Sequence, residues 1–172
     1  RQENAMTRDE AWKAMAVGSD LASSVFESGA KCLILWEMGI VNTTSSSAIL
    51  SALSGLVVED VIGAGTGITP DQLKWKAQVI RQSLKERNPD PNDPIDILSK
   101  VGGLEIGGMV GAILAAAEHK IPVLVDGFIS TVAALLAKTL YPEVKRYLFI
   151  GHQSIEAGHK HAIMLLDKKP IL

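Results

Sequence analysis

With 172 residues the chain is long enough for one full hydrophobic core and too short for two. Its 17 basic and 19 acidic side chains leave a net charge of −2, so no basic field calls for nucleic acid or an anionic membrane surface. At 47% hydrophobic and 21% charged it reads as globular, and its apolar runs are too short to span a bilayer.

A lone cysteine cannot form an internal disulfide and points to a reducing, cytoplasmic setting. Thr7-Arg8-Asp9-Glu10 has the form of a capping box. It opens a helix with apolar positions at Ala11, Ala14, Met15, Leu21, Ala22 and Val25, closing at Gly29. Residues 31–36 are too few for a helix and rich in large apolar side chains, so they read as a buried strand with Cys32 as a small core residue. Residues 48–53 read as a buried helix, which makes 36–47 a strand-to-helix turn. In an open α/β sheet, ligands bind at such turns. There Gly39 is free to take a left-handed backbone. Asn42, Thr43 and Thr44 are N-cap candidates, and the free N–H groups of a helix start suit a phosphate. Glu37 would repel that anion, so it must face a hydroxylated or cationic part of a ligand, or a structural partner. The competing reading is an ordinary capped loop with a solvated Glu37.

Val57-Val58-Glu59-Asp60-Val61-Ile62 stands where the strand–turn–helix rhythm places a strand and leads into Gly63-Ala64-Gly65-Thr66-Gly67. This is not the dinucleotide fingerprint, because the spacing is G-x-G-x-G and no helix begins at the last Gly. Thr69-Pro70-Asp71 instead starts a helix running to about Glu86, with Lys74 and Lys76 in its first two turns. Each lysine is either solvated or a phosphate ligand. A Pro-rich loop at 88–94 caps a short helix over 95–101, and Gly102-Gly103 breaks the chain. The helix at 104–119 carries so many Gly and Ala that it must pack closely against another helix or another subunit. A strand at 121–125 delivers Asp126-Gly127, and a helix follows over 130–138. A strand at 146–150 ends in Gly151-His152-Gln153-Ser154, and a last helix runs from Glu156 or Ala157 to Leu166. Residues 170–172 look like the start of another strand, and both chain ends read as cut.

Alternation of strand, glycine turn and helix predicts an α/β fold whose mostly parallel sheet has helices on both faces. The polar turns then gather on one rim. His152, His159 and His161 lack metal-ligand spacing, and Ser154 lacks the flanking glycines of a nucleophile elbow. Asp126 is open to acid, base or structural use. These residues fit a nucleotide or sugar-phosphate enzyme, and equally a binding module.

Five strings carry a resemblance: E-M-G-I-x-N-T-T (37–44), G-x-G-T-G (63–67), K-V-G-G-L-E-I (100–106), V-D-G-F-I-S-T (125–131) and G-H-Q-S-x-E-x-G-H (151–159). In this order and spacing they resemble the nicotinate-nucleotide–dimethylbenzimidazole phosphoribosyltransferases of cobalamin lower-ligand synthesis. The resemblance implies a Rossmann-like sheet, a homodimer, and no metal or redox cofactor. It implies transfer of 5-phosphoribosyl from nicotinate mononucleotide to a benzimidazole-type base, giving α-ribazole 5′-phosphate and nicotinate. It assigns the phosphate to Gly39, Ile40, Asn42, Thr43 and Lys76, and puts Ser154 near the base or ribose. Gly65 is a further substrate-binding candidate, and Glu37 is a supporting carboxylate facing the ribose or base. Three positions depart from the pattern: Trp36 and Val41 stand where the family usually has Gly, and Ala64 where Arg is common. The family's main base is a Glu in an L-G-E-G-x-G string just past position 172, so residues 1–172 read as a single α/β core of a longer fold. The alternative is a non-catalytic nucleotide-binding partner subunit or inactive homologue.

Overall fold

The capping box read at Thr7 forms. Thr7 Oγ1 accepts the Glu10 N–H at 3.1 Å while the Glu10 carboxylate accepts the Thr7 N–H at 2.7 Å, starting helix α1 (Arg8–Glu27). The computed structural model describes residues 3–65 and 67–172; Thr66 of the G-x-G-T-G string lies outside them. The elements that follow are β1 (Leu33–Trp36), α2 (Asn42–Ser54), α3 (Val58–Val61), α4 (Pro70–Arg87), α5 (Pro94–Val101) and α6 (Leu104–Glu118). The chain continues through β2 (Val123–Asp126), α7 (Phe128–Leu140), a 3-10 helix (Pro142–Tyr147), β3 (Leu148–Ile150) and α8 (Ala157–Leu166).

The strands form a parallel sheet in the order β1-β2-β3, with Leu33 opposite Val123 and Val123 opposite Leu148. Pro170 makes a parallel bridge to Ile150, and the Ile171 N–H donates to Ile150 O at 2.9 Å, so residues 170–172 do begin a further strand. The strand expected over 57–62 is instead the single turn α3. Val58 and Val61, three apart, both fall on its buried side. Period three and period two are indistinguishable over so short a run.

The α/β class and the parallel sheet are as expected, and among the described residues one face of this sheet packs against the hydrophobic core. That face carries Leu33, Leu35, Val123, Val125, Leu148 and Ile150. On the opposite face Ile34, Trp36 and Phe149 are 47–63% exposed, with the Lys168 ammonium 5.6 Å from the centre of the Phe149 ring. Cys32 precedes β1 and is exposed, so it is not the core residue its apolar neighbours suggested.

The small-residue helix α6 finds its close neighbour in α1. A Cβ added at Gly18 would lie 1.8 Å from Gly108 O, and one at Gly111 would lie 1.8 Å from Met15 O. Backbone meets backbone at both positions. Of the apolar positions read on α1, Ala11, Met15 and Ala22 are buried together with Phe26, whereas Leu21 and Val25 are exposed. They line an apolar groove of about 780 Å3 with Val17, Leu33, Leu35 and Met109.

Candidate functional site

The turn between β1 and α2 does not cap its helix as its sequence suggests. The N-cap is Val41, at φ 84° and ψ −31°, and no side chain caps α2. Asn42, Thr43 and Thr44, the expected caps, are already helical. Asn42 turns back instead, its Nδ2 donating to Glu37 Oε1 at 3.3 Å, and its buried Oδ1 has no hydrogen-bond partner among the described residues. Glu37 thus has the structural partner that its position beside an anion-friendly helix start called for. Gly39 is required by space, not by a left-handed backbone: a Cβ there would lie 2.1 Å from Asn42 Nδ2, and the left-handed residue of this turn is Val41.

Lys76 and Lys74 have different fates. Lys74 is exposed and pairs with Asp71. Lys76 projects inward from α4 and is only 7% exposed; its Nζ donates to Thr43 Oγ1 and to Gly63 O, each at 3.0 Å. Burial pushes its pKa down, and the negative charge of Glu156 opposes that shift. Among the described residues no carboxylate lies within ion-pair distance of it. A buried ammonium held only by neutral oxygens is costly unless an anion completes its shell. The glycine turn approaches the same place. Gly65, left-handed at φ 55°, has its Cβ direction 3.4 Å from Thr43 Oγ1, and its N–H donates to Glu156 Oε1 at 2.8 Å.

The turn after β3 is fixed by a buried histidine. His159 Nδ1 lies 3.0 Å from the Ser154 N–H and 2.8 Å from Ser154 Oγ. A backbone N–H can only donate, so Nδ1 is the acceptor and the proton sits on Nε2. Nε2 then donates to Thr131 Oγ1 at 3.0 Å, and Thr131 passes its own proton to Gly127 O at 2.7 Å. Burial above all, then the nearby His152, pushes the His159 pKa down to about 4, with Asp126 opposing. His159 is therefore neutral. Asp126, left open by the sequence, pairs with His152 at 2.6 Å. Among the described residues no three His, Cys, Asp or Glu side chains gather as a metal-ligand group.

Five of the expected site residues, Glu37, Gly39, Thr43, Gly65 and Ser154, line one cavity of about 200 Å3. Lys76 stands behind Thr43, and Asn42 braces Glu37. The Ile40 side chain is 82% exposed and is not in the wall. Val41 and Glu156 also line the cavity and were not singled out as site residues from the sequence. Glu156 stands two positions after Ser154 in the last of the five strings, which was the available signal. A helix start, a glycine-turn amide and a buried ammonium can hold an anion. The Glu37 carboxylate beside them can accept from a hydroxyl or a ring nitrogen.

A family model described as phosphoribosyltransferase, DBI_PRT, matches residues 1–172. Among curated proteins, the nicotinate-nucleotide–dimethylbenzimidazole phosphoribosyltransferase of Chloroflexus aggregans is 48% identical over 171 residues, covering 99% of this chain and 48% of the relative. The protein of that name from Geobacter sulfurreducens is 51% identical over 168 residues, again covering 48% of its length. The crystal structure of CobT from Thermus thermophilus superposes with a TM-score of 0.93 at 37% identity, over 98% of this chain and 50% of that one. The chain therefore spans about half the length of the curated relatives it matches.

Proposed function

This chain belongs to the DBI_PRT phosphoribosyltransferase family, and on that premise we propose that it holds the nucleotide side of the site in a nicotinate-nucleotide–dimethylbenzimidazole phosphoribosyltransferase. The reaction breaks the bond from the ribose anomeric carbon to nicotinate and forms one to a benzimidazole nitrogen. That nitrogen gives up its proton, and the products are nicotinate and α-ribazole 5′-phosphate. The observation that carries the reading is Lys76, a buried ammonium without an ion-pair partner among the described residues, bonded to Thr43, which lines the cavity that also holds Glu37.

In this reading the 5′-phosphate lies over the start of α2, against the amides around Gly39, Ile40, Asn42 and Thr43, and is countered by Lys76 and the Gly65 N–H. Ser154, its hydroxyl and N–H both tied to His159, sits beside the ribose or base. Glu37, braced by Asn42, is a supporting carboxylate near the reacting carbon. Nucleotide and incoming ring held in one orientation supply much of the rate, because the bimolecular step becomes effectively unimolecular. Residues 1–172 act here as one α/β core. The same proposal includes a homodimer in the cytoplasm. The exposed Val17 and Leu21 beside the α1–α6 groove support a subunit contact there, as contiguous apolar surface marks such sites. Among the described residues no helix is long and apolar enough to cross a membrane.

The test is nicotinate release from nicotinate mononucleotide and dimethylbenzimidazole by the purified chain, run beside calorimetric binding of the mononucleotide. Binding that Lys76→Ala weakens by about 1–3 kcal/mol, the range for a charge-assisted contact, supports the site. Binding without turnover favours a nucleotide-binding partner subunit, and no binding refutes the proposal.

A further inference from the structure

Glu156 immediately precedes α8, at its N-cap, yet its carboxylate makes no bond to its own helix. It reaches across the rim to the glycine turn, where Oε1 takes the Gly65 N–H at 2.8 Å. Its other oxygen is in an unfavourable place. Oε2 is buried and has no hydrogen-bond partner among the described residues. It presses on Gly63, where a Cβ would come within 1.8 Å of it. A carboxylate oxygen removed from water without a donor costs free energy. What offsets this is the Gly65 amide and the charge of Lys76, whose ammonium sits on Gly63 O and Thr43 Oγ1.

Those two groups are the ones assigned above to the substrate phosphate. We propose that the Glu156 carboxylate is an internal stand-in for that phosphate: it competes for the Gly65 amide and the Lys76 field and is displaced as the nucleotide binds. The inference rests on the phosphate reading of the preceding section. The opposite role, acceptor for a ribose hydroxyl, fits less well, because Oε2 is shielded and no ligand donor reaches it unless the carboxylate moves. Displacement exchanges a half-satisfied carboxylate for an anion with more acceptor oxygens and a higher charge. Since Ser154 lies two residues before Glu156, capture of the anion and the setting of Ser154 are linked through one short segment.

The probe is inorganic phosphate, titrated into the 172-residue chain by calorimetry with 31P NMR as a second readout. Glu156→Gln keeps an oxygen for the Gly65 N–H and removes the charge, so it should lower the phosphate Kd by about tenfold, as expected when a like charge leaves a partly buried anion site. Glu156→Ala should do at least as much. Unchanged or weaker phosphate binding in Glu156→Gln overturns the proposal and leaves Glu156 a tether of the turn. Lys76→Ala separates this from failure of the phosphate reading itself. If Lys76→Ala does not weaken phosphate binding, or if no form binds phosphate, both readings fall. A thermal melt checks that each variant is folded, and Glu156→Gln decides the matter if Glu156→Ala is not.

Discussion

Val41→Gly should stabilise this protein, an unusual expectation for a change to glycine. Val41 is β-branched and sits at φ 84°, a conformation whose steric cost for such a residue is about 1–3 kcal/mol. Its side chain is 74% exposed, so removing it forfeits only about 0.5 kcal/mol of burial. Glycine also gives the unfolded chain more freedom, worth about 0.5–1 kcal/mol against folding. With strain at the middle or upper end of its range, the balance favours Val41→Gly by about 1 kcal/mol, or roughly 2–4 °C in Tm for a chain of this size. Differential scanning calorimetry on wild type, Val41→Ala and Val41→Gly is the assay. Alanine loses the burial but stays in the left-handed region, so it should melt no more than about 1 °C above wild type, with glycine above both. If Val41→Gly melts at or below Val41→Ala, the strain argument is refuted.

Three further outcomes can be checked. Lys76→Met should raise stability by about 1 kcal/mol or more in denaturant unfolding, because an apolar group replaces a buried charge, while nicotinate mononucleotide binding weakens by about 1–3 kcal/mol, as in Lys76→Ala. Gly111→Ala should destabilise by about 2 kcal/mol or more, since its Cβ meets Met15 O, whereas Gly108→Ala, with 3.8 Å to Ala14 O, should be neutral or gain up to about 1 kcal/mol of helix propensity. His159 has a folded pKa of about 4 against an ordinary value of 6.5, so the folded protein binds fewer protons than the unfolded chain between those values. Its contribution is complete above pH 6.5 and is lost as the pH falls toward 4, by about 3 kcal/mol in all. His159→Gln, which can still accept from Ser154 and donate to Thr131, should flatten the unfolding free energy between pH 6.5 and 5. An unchanged slope there would show that His159 does not titrate in that window.

What could be read from the sequence was mostly local. Thr7 with Glu10, and Thr69 with Pro70, carry their helix starts within four residues, and both helices begin there; that Gln72 closes a second box was not read from the sequence. The gathering of the glycine turns needed only the alternation of elements, and the cavity shared by Glu37, Thr43, Gly65 and Ser154 is its result. Legibility fails where a side chain chooses a distant partner. Asn42 bonds Glu37 instead of capping α2, so Val41 becomes the cap. Asp126 finds His152 across 26 positions, and Glu156 finds Gly65 across 91. The apolar run through Ile34 and Trp36 implied burial on both sides of the strand, whereas one face of the sheet stays open. Composition records hydrophobicity but not which neighbour covers it.

The register of the sheet has a kinetic consequence. Leu33 pairs with Val123, so β1 and β2 are 90 positions apart and α2 through α6 must be reeled in before the β1–β2 ladder closes. Loop closure over such a span costs about 4 kcal/mol of chain entropy, none of it recovered until the strands meet. The β2–α7–β3 stretch closes a far shorter circuit, through Val123 and Leu148, and is positioned to nucleate the fold. On this contact-order argument β1, with Glu37 just past its end, is expected to join after β2 and β3, so the glycine-turn rim completes late in folding rather than seeding it.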